Sequence, residues 1–374
     1  MQKSEQKPSK KRKTKKELRR NCIILAAAVL FVAVLCLFFA SDYNKLLEPD
    51  SYYKGQQLSL GSYPQSLVSD KETLAALGEL ELDWKYFDDC YAGEDYYGTM
   101  KRTDCMKYAD VACNASRYRA VVIEQFRPNS VLSPATAEES RQDENGFEQN
   151  KVYWFHYEPI RWTIVNPSQG LMLSRAVLDA MPFNDSFYWV DRDFDKNVFI
   201  DKELSSTKQL FTPANLYKTS SVRKWLNSGF YELAFSGEEQ QDIKGTWHLT
   251  HESSESVKYG LCSLNHDKVF LPSWKDISRF QKEELNTLVR FVPVTDYARC
   301  RGTYSVLRDG KYYTWYWLST PGDGCADVFS AYSNKDIINF DRQFFYAYSV
   351  GGIRCAACLK QSALDRLSAG GEAQ

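Results

Sequence analysis

Residues 22–40 read CIILAAAVLFVAVLCLFFA, nineteen residues without a charge. A helical residue rises about 1.5 Å, so the run spans roughly 28 Å, close to the ~30 Å hydrocarbon core of a bilayer. A membrane-spanning helix is therefore predicted over 21–40. Residues 1–20 hold ten Lys and Arg against Glu5 and Glu17, a net +8. Positive charge stays on the cytoplasmic side. The expectation is a single-pass protein of the cell membrane, with 1–20 a cytoplasmic basic tail and the chain beyond Ser41 extracytoplasmic. A cleaved leader would want small residues before the cut, but Phe38 stands three before a cut after Ala40. A lipid-attachment cysteine fits no better, because Leu35 precedes Cys36 deep inside the apolar run.

The near-neutral total hides an asymmetry. Beyond residue 20 the chain carries the remaining 37 basic and 46 acidic residues, a net −9. The basic tail faces the membrane, where each basic residue near an anionic surface gains about 1 kcal/mol. The membrane is thus an expected partner and nucleic acid is not. Residues 41–55 read as a stalk and 361–374 as a flexible tail ending in SAGGEAQ. No Pro/Gly/Ser-rich linker or tandem repeat divides 56–360, so one extracytoplasmic domain is expected there. It contains eight cysteines, Cys90, Cys105, Cys113, Cys262, Cys300, Cys325, Cys355 and Cys358. An even number allows a full disulfide set, and sequence cannot choose the pairing; buried free thiols fit equally well.

Periodicity gives the elements. Gln57–Pro64 reads as a strand entering a turn. Ser69 to Glu72 reads as a capping box before a helix over 70–80. Residues 84–118 suggest short strands and loops, 119–124 a strand, and 129–150 a polar loop. In 152–165, Ile160, Trp162 and Ile164 alternate with Arg161, Thr163 and Val165, the period of a strand. LMLSRAVL is a further strand. Thr219–Phe235 has helical spacing with Ser220 or Ser221 as cap, and Ser236 to Glu239 is a second capping box opening a helix over 237–244. Val269–Leu271 is a short strand, and Ser273 with Asp276 opens a helical turn. From Trp315 onward WYWLST, DVFSA, IINF and IRCAACLK read as strands. Strands at both ends with helices mid-chain indicate an α+β fold, mainly antiparallel.

Several segments, in order, carry a resemblance. Gly61–Gln65 (GSYPQ), His156–Trp162 (HYEPIRW), Leu171–Asn184, Ser221–Asn227 (SVRKWLN), Phe230–Ser236 (FYELAFS), Asp267–Ser273 (DKVFLPS), Thr295–Ala298 (TDYA), Trp315–Gly322 and Gly352–Ala356 (GIRCA) resemble the motifs of the bacterial surface domain of unknown function 6273. That family is in turn distantly similar to formylglycine-generating-enzyme and C-type-lectin-like folds. The resemblance implies a single lectin-like or formylglycine-enzyme-like domain displayed on a bacterial cell surface. Ser319 and Cys355 depart from the family's usual Arg and Pro.

The oxidase branch of that kinship binds copper through two closely spaced cysteines; Trp315–Gly351 holds only Cys325, and one thiol cannot make a two-thiolate site. Cys355 and Cys358 have C-x-x-C spacing but lie on an apolar strand, where positions three apart face opposite ways. His248, His251, Cys262 and His266 are too irregularly spaced for a zinc site. Asp191, Asp193 and Asp195 alternate as in calcium loops and form the candidate calcium ligands, although Lys196 and Lys202 stand where that loop needs Gly and Glu. No nucleophile elbow, zincin helix, P-loop or dinucleotide fingerprint occurs. Trp162, Trp225 and Trp317 are expected in the core. Trp189, Trp247 and Trp274 lie in irregular polar stretches, where an exposed ring can stack on a sugar or anchor a protein. The expected function is a non-catalytic binding module of the envelope with a carbohydrate or surface-protein ligand. The alternatives are a structural or assembly component and an enzyme of unrecognised type.

Overall fold

The computed structural model describes residues 54–94, 100–128, 140–184, 215–250, 263–278, 292–321, 327–333, 340–347 and 349–370. The expected anchor at 21–40 and most of the stalk lie outside them. Among the described residues no helix is long and apolar enough to cross a membrane.

The first strands are β1 (Gln57–Leu67), β2 (Lys85–Tyr86), β3 (Tyr91–Glu94), β4 (Met100–Arg102), β5 (Met106–Cys113) and β6 (Ser116–Ile123). Then come β7 (Val152–Asn166), β8 (Leu171–Ser174), β9 (Asp179–Pro182), β10 (Ile243–Lys244), β11 (Thr246–Leu249), β12 (Leu264–Asp267) and β13 (Val269–Phe270). The last are β14 (Val306–Arg308), β15 (Lys311–Tyr313), β16 (Tyr316–Pro321), β17 (Asp327–Ser333), β18 (Phe340–Tyr346), β19 (Val350–Ile353) and β20 (Ala356–Leu359). The helices are short: α1 (Lys71–Gly78), α2 (Arg141–Glu144), α3 (Ser221–Leu226), α4 (Gly229–Ala234), α5 (Gly237–Asp242), α6 (Trp274–Ser278), α7 (Asp296–Cys300) and α8 (Gln361–Gly370). The fold is α+β and mainly antiparallel.

A nine-stranded sheet runs β10-β20-β8-β7-β6-β5-β2, with β1 added on β7 and β13 on β20. The long strand β7 organises it. Phe155 pairs with both Leu67 and Arg119, and Trp162 with both Leu58 and Ser174. One edge of β7 is therefore lined by β1, and the other is shared by β6 on its first half and β8 on its second. Pro159 falls in the gap between these two partners, where a proline costs the ladder least. Ile160, Trp162 and Ile164 are fully buried as their alternation predicts; Thr163 and Val165 are buried too, because this half of β7 is covered on both faces.

A five-stranded sheet runs β18-β17-β16-β19-β9. The segment read as one strand, IRCAACLK, is split between the sheets: β19 pairs with β9 in this one, and β20 pairs with β8 in the other. The bonds continue across the gap. Leu178 N donates to Ile353 O at 2.9 Å, Ser174 N to Cys355 O at 2.9 Å, and Arg354 Nε to Ser174 O at 2.9 Å. The β8–β9 and β19–β20 segments thus form one ribbon that passes through both sheets.

The main hydrophobic cluster runs from Leu58 to Leu364 and contains Trp162 and Trp317, both fully buried. Their indole N–H groups donate to Leu60 O at 2.8 Å and Met181 O at 3.1 Å. A smaller cluster of Leu77, Ala109, Tyr118, Ala120 and Trp154 lies under α1. Trp225 differs from expectation. It is only half-buried and packs on Phe230, ring centroids 5.2 Å apart, because α3 turns Val222 and Leu226 inward instead. The single helix predicted over 219–235 is broken at Asn227. Its amide leaves the helix to bond β13, Nδ2 donating to Val269 O at 2.9 Å and Oδ1 accepting from Lys268 N at 2.8 Å. The cap of α1 is Asp70, which accepts from Thr73 N at 2.8 Å, one residue later than the sequence suggests. The capping box of α5 forms as read, and Glu239 Oε1 also accepts Gly61 N at 2.7 Å.

Candidate functional site

The feature that leaves the body of the fold is the β11–β12 hairpin. Ile243 and Lys244 of β10 pair with Leu359 and Cys358, while Val269 and Phe270 of β13 pair with Ala357 and Ala356. Along β20, then, Lys244 and Val269 are consecutive. Residues 245–250 and 263–268 are an excursion from one edge strand, an arm that the sheet does not need for its own pairing.

Alternation along this arm separates two faces. Trp247 pairs with His266 and Leu249 with Leu264, and all four face outward. Trp247 is 66 % exposed, Leu249 54 % and Leu264 57 %. The indole lies against the His266 imidazole, centroids 4.7 Å apart and planes at 39°. Gly245 makes room for that imidazole: a Cβ there would stand 2.6 Å from its Cε1 and Nε2. The result is a contiguous apolar strip of one Trp and two Leu with a fixed His at its base.

The inner face is polar and closed. Thr250, Ser263, Asn265 and Asp267 are buried. Asp267 is the tie to the body. Its carboxylate accepts from His248 Nε2 at 2.8 Å, from Arg223 Nε at 3.0 Å and from Arg223 Nη2 at 2.8 Å. Burial pushes this carboxyl upward, yet the hydrogen bonds from His248 and Arg223 outweigh it and hold it below the ordinary carboxylate range. His248 stacks on Phe270, centroids 4.5 Å apart and planes at 20°. Lys268 Nζ donates to Ile243 O at 2.9 Å, closing the base. Arg223 of SVRKWLN thus meets Asp267 of DKVFLPS, Asn227 meets its Lys268 and Val269, and these motif residues serve to root the arm.

A second polar cluster lies inside the main body. Tyr63 of GSYPQ donates to Asp179 Oδ2 at 2.6 Å, and Arg301 Nε donates to Asp179 Oδ1 at 3.0 Å. The other end of Arg301 reaches Asp89 Oδ2 at 2.5 Å, which also accepts from Arg127 Nη2 at 3.0 Å. All five side chains are buried. Burial raises the Asp89 carboxyl, and the Arg127 and Arg301 charges bring it below its ordinary value. Asp89 Oδ1 and Arg127 Nε have no hydrogen-bond partner among the described residues; the bonds that do form tie β1, β9 and the C-terminal end of α7 to the segments of Asp89 and Arg127.

The residues singled out from sequence fare differently. Trp247 stands exposed on the arm. Trp274 on α6 is half-buried and packs against the main core, and its backbone N–H donates to Thr320 Oγ1 at 2.8 Å. Trp189 and the candidate calcium ligands Asp191, Asp193 and Asp195 lie outside the described residues, as do His251, Cys262 and Cys325. His248 and His266 occupy opposite faces of the arm, and among the described residues no group of His, Cys, Asp and Glu is placed to hold a metal. Cys355 and Cys358 are buried free thiols. Leu249, Leu264 and the Arg223–Asp267–His248 root were missed. Only the alternation in TWHL and LNHD signalled them, and it is too short to stand out.

Residues 194–361 match the model of a family described as a domain of unknown function (DUF6273). The resemblance drawn from the motifs holds over that segment, which contains the arm and its root. No curated protein and no solved structure matches the chain.

Proposed function

We propose that the chain is a membrane-anchored binding module of the bacterial cell envelope, and that the outer face of the β11–β12 arm docks an envelope protein. The apolar run at 22–40 and the +8 flank support the anchoring. An α+β body with a projecting arm suits the lectin-like or formylglycine-enzyme-like kinship expected from the motifs. One observation carries the docking: Trp247, Leu249 and Leu264 stand more than half exposed on one face of a hairpin that the sheet does not require. Exposed apolar clusters mark interaction surfaces, and Trp is enriched among the residues that dominate binding energy.

The face favours protein over carbohydrate. A sugar platform pairs a flat ring with convergent groups that bond hydroxyls. Here the neighbours of Trp247 on its own face are Leu249, Leu264 and His266, while Thr250, Ser263, Asn265 and Asp267 face inward. A structural role in envelope assembly would use the same strip.

The test is photo-crosslinking of the full-length chain to isolated envelope, with Trp247→Ala and Leu264→Asp beside the wild type. Surface substitutions stay within about 0.5 kcal/mol of wild-type stability, so folding is retained. Each variant should lose tenfold or more of the capture of one defined partner, about 1.4 kcal/mol. Undiminished capture refutes the docking face. Capture that instead follows a purified polysaccharide gives the site to carbohydrate.

A further inference from the structure

Beside the buried ion network lies a pair of thiols that the docking reading does not use. Cys90 and Cys105 are 0 % and 1 % exposed and belong to the same hydrophobic cluster. Their placement follows from one antiparallel register. Lys85 and Tyr86 pair with Tyr108 and Lys107, and Phe87 N donates to Met106 O at 3.1 Å. The chain bends at Asp88 and Asp89. Beyond the bend the same register resumes: Thr103 N donates to Cys90 O at 2.9 Å, and Tyr91 pairs with Arg102. In this register Cys90 stands opposite Thr103 and Cys105 opposite Asp88, so the two cysteines take diagonal positions across the ladder, with rungs on both sides fixing their backbones. Cys105 is pinned further, its carbonyl accepting from Glu124 N at 2.9 Å and Gln125 N at 3.1 Å.

The surroundings distinguish Cys90 from the other buried thiols. Burial pushes Cys355 well up and Cys358 up to about 11, and the Cys90 neighbour together with burial raises Cys105. Cys90 moves the other way. The neighbouring Cys105 thiol lowers it most, and the Arg127 and Arg301 charges help to outweigh burial and Asp89. A thiolate is the form that attacks a disulfide.

We propose that Cys90 and Cys105 are a disulfide-forming pair, closed by exchange with a low-molecular-weight disulfide while the chain folds and before the two thiols are buried, that staples the β3–β4 hairpin to the β2–β5 ladder. The Cys90 thiolate attacks one sulfur of the small disulfide. That S–S bond breaks, one small thiolate leaves, and a mixed disulfide forms on Cys90. Cys105 then attacks Cys90 Sγ and expels the second small thiolate. The two protons lost by the cysteines end on the two small thiols, and the two electrons reduce the small disulfide. Nothing in this step needs the arm or the membrane, so its success or failure is separate from that of the docking reading. A location outside the membrane would supply the oxidising surroundings in the cell.

The full-length chain, reduced and unfolded, is refolded in oxidised glutathione, then unfolded in excess alkylating reagent and peptide-mapped. The expected product is a cross-linked peptide joining Cys90 to Cys105, with Tm several degrees above that of the reduced chain. Cys105→Ser removes the resolving thiol and should accumulate glutathione on Cys90. Recovery of both cysteines alkylated from the oxidised wild type overturns the proposal, as does a link from Cys90 to any other cysteine. The wild-type map decides the matter alone if the serine variant does not fold.

Discussion

Asp267→Ala tests whether the arm is rooted by its buried carboxylate. The Asp267 side chain is 2 % exposed, against 25 % for Arg223 and 12 % for His248. Removing one member of a buried pair costs about 3–5 kcal/mol when the other is left without water. Arg223 is a quarter exposed and keeps a bond from Nη1 to Lys218 O at 2.9 Å, so water recovers part of the loss. The expected cost is therefore about 2–3 kcal/mol. It should fall locally, because β10 and β13 hold β20 without the arm. At about 1.4 kcal/mol per tenfold, amides in 245–250 and 263–268 should exchange with deuterium roughly 30- to 150-fold faster, while those of β7 stay within a few-fold of wild type. Asp267→Asn, which keeps an acceptor but loses the charge, should fall between. Arm exchange that does not change, or that rises equally in β7, would falsify the rooting argument.

Arg301→Met leaves Asp89 and Asp179 buried with fewer donors and should cost about 3–5 kcal/mol, read from the urea midpoint; a shift under 1 kcal/mol would mean that the network is slack. Gly61→Ala forces a side chain to φ +77° and places its Cβ 2.7 Å from the Phe235 ring. The φ penalty alone is about 1–2 kcal/mol, so Tm should drop, and an unchanged Tm would show that β1 can straighten. Asp89, Asp110 and Asp267 all have carboxyls held below their ordinary values in the folded chain. Their stabilisation is present above the unfolded carboxylate pKa and is lost as pH falls through the folded values. Thermal stability should accordingly be flat near neutrality and decline below about pH 4; a decline already under way at pH 6 would point to histidine instead.

The strands and caps were legible where a local rule operates alone. Alternation located Ile160, Trp162 and Ile164, and the Ser236–Glu239 spacing located α5. Prediction failed where a side chain serves a distant segment. Asn227 interrupts the mid-chain helix because its amide is engaged by Lys268 and Val269, which no window around 227 contains. IRCAACLK reads as one strand because nothing in its pattern marks the change of sheet at Arg354. The motifs themselves were visible as words, but what they do was not. Tyr63, Asp179, Arg223 and Asp267 are buried polar residues whose partners lie far off in sequence, so each looks ordinary until the fold brings its counterpart to it. The arm was half-seen: Trp247 stood out by residue type, and the two leucines that give its face breadth did not.

The ribbon formed by β8–β9 and β19–β20 has a mechanical consequence. Two sheets joined by a single connector can swing about it. Here both chain crossings run side by side, and Ser174, Leu178, Ile353, Arg354 and Cys355 bond one to the other through the crossing itself. A hinge at that seam would have to tear those bonds before it could turn. The frame therefore resists turning at that seam.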